Sequence, residues 1–131
     1  MTSVFVDTNV LLYSVDASQP QKQRQARAWV AVLWEQGSGL LSWRVLHEFY
    51  VNALRKMPVP PPQARKFVET LAQWQPVETS LGLIKQAWHW TDQAQLSYWD
   101  SLIVAAAERA GCSRLLSEDF QPGRRFERLQ W

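Results

Sequence analysis

The chain has 131 residues, 47% hydrophobic and 20% charged, and its 14 basic and 12 acidic side chains leave a formal charge of +2. This is the size and make-up of one globular domain, here residues 1–131, able to bury roughly two-thirds of its unfolded surface; the charge balance alone does not suggest nucleic acid. The single cysteine, Cys112, excludes an internal disulfide framework or cysteine zinc site, and no signal-peptide-like or membrane-spanning run is present, so a soluble cytoplasmic protein is expected.

Val4, Phe5 and Val6 form a short apolar run that reads as a strand buried on both faces. The run stops at Asp7, and Thr8 and Asn9, both residue types that cap helices, precede Val10, Leu11 and Leu12. Strand therefore passes to helix within two or three residues, which places Asp7 at the carboxyl end of the first strand. In open α/β sheets that edge is where ligands bind. Residues 14–21 are polar and turn-like, and Pro20 suits the first turn of a helix running to about Gln36. Gly37-Ser38-Gly39 ends that helix, Leu40-Leu41 is a minimal second strand, and Ser42 can cap the next helix, whose Val45, Leu46, Phe49, Ala53 and Leu54 share a broad apolar face.

Pro58 to Pro62 is a rigid connector, followed by a helix from Pro62 to Trp74 with Phe67, Val68 and Leu71 inward. Gln75-Pro76-Val77 is a candidate third short strand, weakened by a proline that cannot donate to a central ladder. Thr79 is the expected cap of the helix holding Leu83, Ile84, Ala87 and Trp88. Ser97 caps a helix from Tyr98 to Ala110, rich in alanine and stopped by Gly111. Residues 113–116 read as a strand, Asp119 follows it, and Phe126 to Trp131 form a candidate edge strand after the Pro122-Gly123 turn.

Eight tryptophans are many for this length; they read either as large core fillers with a few at the rim, or in part as an exposed patch for a partner chain. Trp88 and Trp90 are two apart, so on one helix they cannot face the same core. His47 and His89 read as structural or surface residues, and Cys112 as a small buried hydrophobe.

Short strands alternating with helices imply an α/β fold, a three-layer α/β/α sandwich with a short, mainly parallel central sheet. Such a sheet gathers four carboxylates: Asp7 and Asp119 after strands, Glu48 and Asp100 on the helices that follow the same edge. Each has an ordinary explanation. Asp100 completes a capping box with Ser97, Asp7 suits a helix N-terminus, Glu48 could face solvent, and Asp119 sits in turn chemistry. Together they are costly to assemble, because two like charges about 5 Å apart repel by roughly 3 kcal/mol at an effective dielectric near 20. A divalent cation removes that cost, and all-oxygen ligands favour Mg²⁺ or Mn²⁺ over Zn²⁺. Arg44, Arg55 and Lys56 on the helix of Glu48, and Arg124 and Arg125 after Asp119, are candidate phosphate contacts, with a solvated surface as the alternative.

Val6-Asp7-Thr8-Asn9 with the following Val-Leu-Leu, Leu41-Ser42 through Glu48 to Asn52, Leu96 through Asp100 to Ala107, and Leu115-Leu116-Ser117-Glu118-Asp119-Phe120 resemble, in order, the four signature segments of PIN domains, especially VapC-type toxins of bacterial toxin–antitoxin pairs. The resemblance implies an endoribonuclease, a hydrolase dependent on Mg²⁺ or Mn²⁺ that cleaves RNA phosphodiester bonds, acts as a homodimer and is inhibited by a cognate VapB-like antitoxin. It assigns Asp7, Glu48, Asp100 and Asp119 as catalytic metal-binding acids, with Thr8, Asn9 and Ser117 supporting them. The chain departs from the family pattern at His47, at the adjacent Glu118 and Asp119, and in ending at Trp131 without an Asn-Pro-Phe-like segment. Rival readings are a non-catalytic RNA- or protein-binding module, or a DNA nuclease or phosphatase of similar architecture.

Overall fold

The structure, a computed structural model, describes residues 3–57 and 59–117 with their side chains and, beyond them, the backbone of two short strands at 125–126 and 129–130. Its elements in chain order are β1 (Val4–Val6), α1 (Thr8–Ser14), α2 (Pro20–Gln36), β2 (Gly39–Leu40), α3 (Trp43–Lys56), α4 (Pro61–Leu71), α5 (Leu81–Ala94), α6 (Tyr98–Arg109), β3 (Arg114–Leu116), β4 (Arg125–Phe126) and β5 (Leu129–Gln130). The sheet order is β2-β1-β3-β5-β4, parallel except for the β4–β5 pair. The α/β architecture expected from the alternation of elements is the one observed.

Strand β1 is the centre of this arrangement. Successive strand side chains point to opposite faces, yet Val4, Phe5 and Val6 are all buried, so both faces of the sheet are covered. Phe5, Leu11, Leu41, Val45, Leu46, Phe49 and Val104 are among the most deeply buried side chains of the core cluster formed by the described residues. The alanines of α6 are buried in series from Ala105 to Ala107, and their small size lets α6 lie close to α5, where Thr91 Oγ1 donates to Ser101 Oγ at 2.8 Å. Helix α1 is held to α2 at its far end, where Arg27 Nε donates to the Ser14 carbonyl at 2.8 Å.

Several boundaries differ from those the sequence suggests. Asp7, not Thr8 or Asn9, is the N-cap of α1, because its carboxylate accepts from the Thr8 N–H at 2.7 Å and the helix begins at once. Ser80, not Thr79, caps α5 by accepting from Leu83 N–H. Residues 75–77 are no strand; Val77 makes one isolated parallel bridge to Ser42, and Gln75, at φ +57°, is in the left-handed region, which ends extended backbone there. The second strand is Gly39–Leu40, where a Cβ on Gly39 would lie 2.5 Å from the Trp74 ring, so glycine permits the close approach. The edge strand expected over residues 126–131 is instead the short antiparallel pair β4–β5. Trp29, Trp34, Trp43, Trp88 and Trp99 are exposed, so most described tryptophans are not core fillers; Trp88 and Trp90 do part company, Trp90 being buried.

Candidate active site

The pairing register alone brings the first two site residues together. Val6 of β1 stands opposite Leu116 of β3 in parallel, and the Asp7 N–H donates to the Leu116 carbonyl at 3.0 Å, so the residues leaving the two strands, Asp7 and Ser117, emerge side by side. Ser117 Oγ donates to Asp7 Oδ2 at 2.7 Å while Thr8 N–H donates to Oδ1, and Asn9 Nδ2 reaches Ser117 Oγ at 3.5 Å. Asp7 is buried, at 5% exposure. A carboxylate at that depth is held in one orientation by donors on two elements, one of which is the first peptide of α1, where the helix dipole also favours negative charge.

Glu48 arrives through α3. Ser42 caps that helix, accepting from Val45 N–H at 3.2 Å, and the strong amphipathic pattern of the segment turns Val45, Leu46, Phe49 and Ala53 inward, leaving Glu48 half-buried at the edge of the packed face. Thr8 Oγ1 lies 3.4 Å from Glu48 Oε2, so one residue touches both acids: its N–H meets Asp7 and its hydroxyl meets Glu48. Arg44, one turn earlier on α3, places a guanidinium nitrogen 2.8 Å from Glu48 Oε1.

Asp100 lies in the first turn of α6, half-buried, with its N–H donating to the capping Ser97 Oγ at 3.1 Å. The residue before it, Trp99, presents its ring to Arg44, whose guanidinium carbon is 3.7 Å from the ring centroid. Contacts thus run without a break from Ser117 through Asp7, Thr8, Glu48 and Arg44 to Trp99 and the start of α6. Asp119, expected as the fourth acid, and Arg124 lie outside the described residues, and of Arg125 only the backbone is described.

Among the described residues no group of three or more His, Cys, Asp or Glu side chains is gathered tightly enough to hold an ion. The acids that do converge offer only oxygen, the hard-donor chemistry that suits Mg²⁺ or Mn²⁺. Arg55 and Lys56 are not part of this edge; they are exposed in the last turn of α3, about 11 Å along the axis from Glu48, where they complement the helix dipole. His47 is exposed and lines a shallow cavity between α3 and α4 with Tyr50 and Arg65, and His89 is exposed against Trp90. Cys112 is buried, and desolvation pushes its thiol up to about 12. A cavity of about 700 Å³ lies away from the acids, between α2 and α4, lined by Val30, Trp34, Phe67 and Leu71. The feature that reading the sequence missed is the Arg44–Glu48 pair; its signal was the i,i+4 spacing.

The model of the PIN domain family matches residues 4–129. The chain belongs to the PIN domain family. No curated protein matches it. Among solved structures, VapC20 of Mycobacterium tuberculosis, described as a Sarcin-Ricin loop cleaving toxin, has the same fold, with a TM-score of 0.63 over 89% of this chain and 92% of that one at 20% identity. The acids Asp7, Glu48 and Asp100 all lie inside the matched span of this PIN domain, as does Asp119. Among the described residues no helix is long and apolar enough to cross a membrane.

Proposed function

We propose that this PIN domain is a divalent-metal-dependent endoribonuclease acting as the toxin of a toxin–antitoxin pair. The observation that carries the reading is the bracing of buried Asp7 by Ser117 and Thr8 at the carboxyl edge of the sheet, with Thr8 bridging to Glu48, in a chain of this family. The fold shared with a toxin described as cleaving the Sarcin-Ricin loop supports RNA as the substrate class; a VapB-like antitoxin as partner and a homodimer as assembly are part of the same proposal and follow from the resemblance of the four signature segments to VapC-type toxins.

Asp7, Glu48 and Asp100, with Asp119, would hold Mg²⁺ or Mn²⁺. The bound ion supplies activation of an attacking water and stabilisation of charge on the phosphodiester oxygens. The protein's own share is orientation. Ser117 and the Thr8 N–H fix both oxygens of Asp7, so the carboxylate loses little further freedom when an ion or substrate arrives. Thr8 sets the distance between Asp7 and Glu48, and the Ser97 cap fixes the helix turn that carries Asp100. No side-chain nucleophile is needed, which agrees with the burial of Cys112 and with the exposed positions of His47 and His89.

The test is a panel of RNA, DNA and a phosphomonoester incubated with the full chain, with Mg²⁺ or Mn²⁺ and again with EDTA. Cleavage of RNA alone, abolished by EDTA and by Asp100→Asn in a protein that stays folded, is the expected result. Cleavage of DNA or the monoester in preference to RNA, or RNA breakage that survives EDTA, would overturn it.

A further inference from the structure

Arg44 occupies an odd position for a residue that only coats the surface. Its guanidinium is 2.8 Å from Glu48 Oε1 and sits over the ring of Trp99, the neighbour of Asp100. Its Nε is buried and, among the described residues, has no hydrogen-bond partner. A buried donor left unpaired is costly, whereas the Glu48 and Trp99 contacts are favourable, so this conformer is a compromise. Glu48 is also the carboxylate that the proposed ion needs. Arg44 holds Oε1 of that carboxylate and Thr8 Oγ1 lies 3.4 Å from Oε2, so a divalent cation at Glu48 competes with the guanidinium for the same negative charge, and a cation placed there would repel Arg44.

From this we infer that Arg44 is a counter-charge latch, a positioning residue that neutralises Glu48 while no divalent ion is bound and yields it when one binds. The displaced guanidinium remains tethered by the Trp99 face, which is 54% exposed, at the mouth of the acidic edge. There its five-donor fork is free to take an RNA phosphate, the bidentate chemistry that arginine performs better than lysine. The site thereby exchanges one intramolecular cation for another ligand and gains an RNA contact in the same movement. This inference rests on the metal-dependent reading of Asp7, Glu48 and Asp100.

The discriminating experiment measures ion binding and RNA binding separately. Calorimetric titration of MnCl₂ into RNA-free protein is done for wild type, Arg44→Gln, Arg44→Lys and Asp7→Asn. Binding of a short single-stranded RNA is then measured for the same proteins in Ca²⁺, with cleavage monitored in parallel. Loss of the competing charge makes Arg44→Gln bind Mn²⁺ about two- to fivefold more tightly, the scale of a partly exposed ion pair, while RNA binding weakens. Arg44→Lys keeps wild-type Mn²⁺ affinity but shares the RNA defect, and the Mn²⁺-induced change in Trp fluorescence is reduced by Trp99→Phe. Opposite shifts of ion and RNA affinity are not what a merely structural arginine produces. Unchanged or weaker Mn²⁺ binding by Arg44→Gln, with wild type binding and Asp7→Asn failing to bind, overturns the latch and leaves the metal site standing. Absence of Mn²⁺ binding by wild type overturns both.

Discussion

Replacing Ser117 with alanine isolates the brace that the parallel register builds. The substitution removes the donor to Asp7 Oδ2 at 2.7 Å and the acceptor of Asn9, and changes little else in volume. Hydrogen bonds to charged groups contribute about 1.5–3 kcal/mol net. Ser117 is half-buried, so water can take its place in part, and the lower half of that range applies. Unfolding entropy of about 2.1 cal/mol/K per residue means that each kcal/mol moves the midpoint of a domain this size by about 3–4 °C. Calorimetry should therefore show Ser117→Ala melting about 5–8 °C below wild type, with Ser117→Thr recovering most of the loss. RNA cleavage should fall about 10- to 100-fold, the usual effect of removing a group that orients a metal-binding carboxylate. A melting shift below about 1 °C with unchanged cleavage would refute the idea that Ser117 holds Asp7 in place.

Three further outcomes are expected. Ser42→Ala, which deletes the cap of the helix bearing Glu48, should cost about 0.5–2 kcal/mol in urea unfolding, with Ser42→Asn close to wild type. Burial holds the Cys112 thiol protonated in the folded state up to about 12, above its value of 9.0 in the open chain, so its contribution to stability is complete below pH 9 and is lost as pH rises toward 12. Melting midpoints compared across that window should fall less in Cys112→Ala than in wild type, and a thiol reagent at neutral pH should label the native protein no faster than it unfolds. RNA binding should weaken steeply between 50 and 200 mM salt through loss of counterion release, and a flat salt dependence would exclude phosphate contacts as the main source of affinity.

The sheet edge was legible in the sequence because its signals are local. An apolar triplet ending at Asp7, a serine before each of α3 and α6, and glycine after α2 each specify a boundary through chemistry confined to a few neighbouring residues. What the sequence did not disclose depends on geometry, local at the helix caps and long-range at Arg44, that residue types do not rank. Asp7 itself, and not Thr8 or Asn9, caps α1 because its carboxylate meets the Thr8 N–H in this backbone conformation, and Ser80 takes the cap of α5 from the neighbouring threonine by geometry that composition cannot rank. Arg44 was legible as a candidate RNA contact, but its partners were not: Glu48 on its own helix and Trp99 from fifty-five residues onward, a pairing made only because the start of α6 reaches this point of α3. The tryptophans misled for a related reason: several helices expose a flank on which a large ring can lie, so Trp29, Trp34, Trp88 and Trp99 need no place in the core.

The central claim is that Asp7 and its neighbouring acids form one cation site. Titrating Mn²⁺ into wild type and into Asp7→Asn by calorimetry addresses it directly, since the amide keeps the shape of the side chain and removes its charge. Saturable binding by wild type, lost in a folded Asp7→Asn protein that no longer cleaves RNA, is the result predicted. Equal Mn²⁺ binding by the two proteins, or equal cleavage, would contradict it.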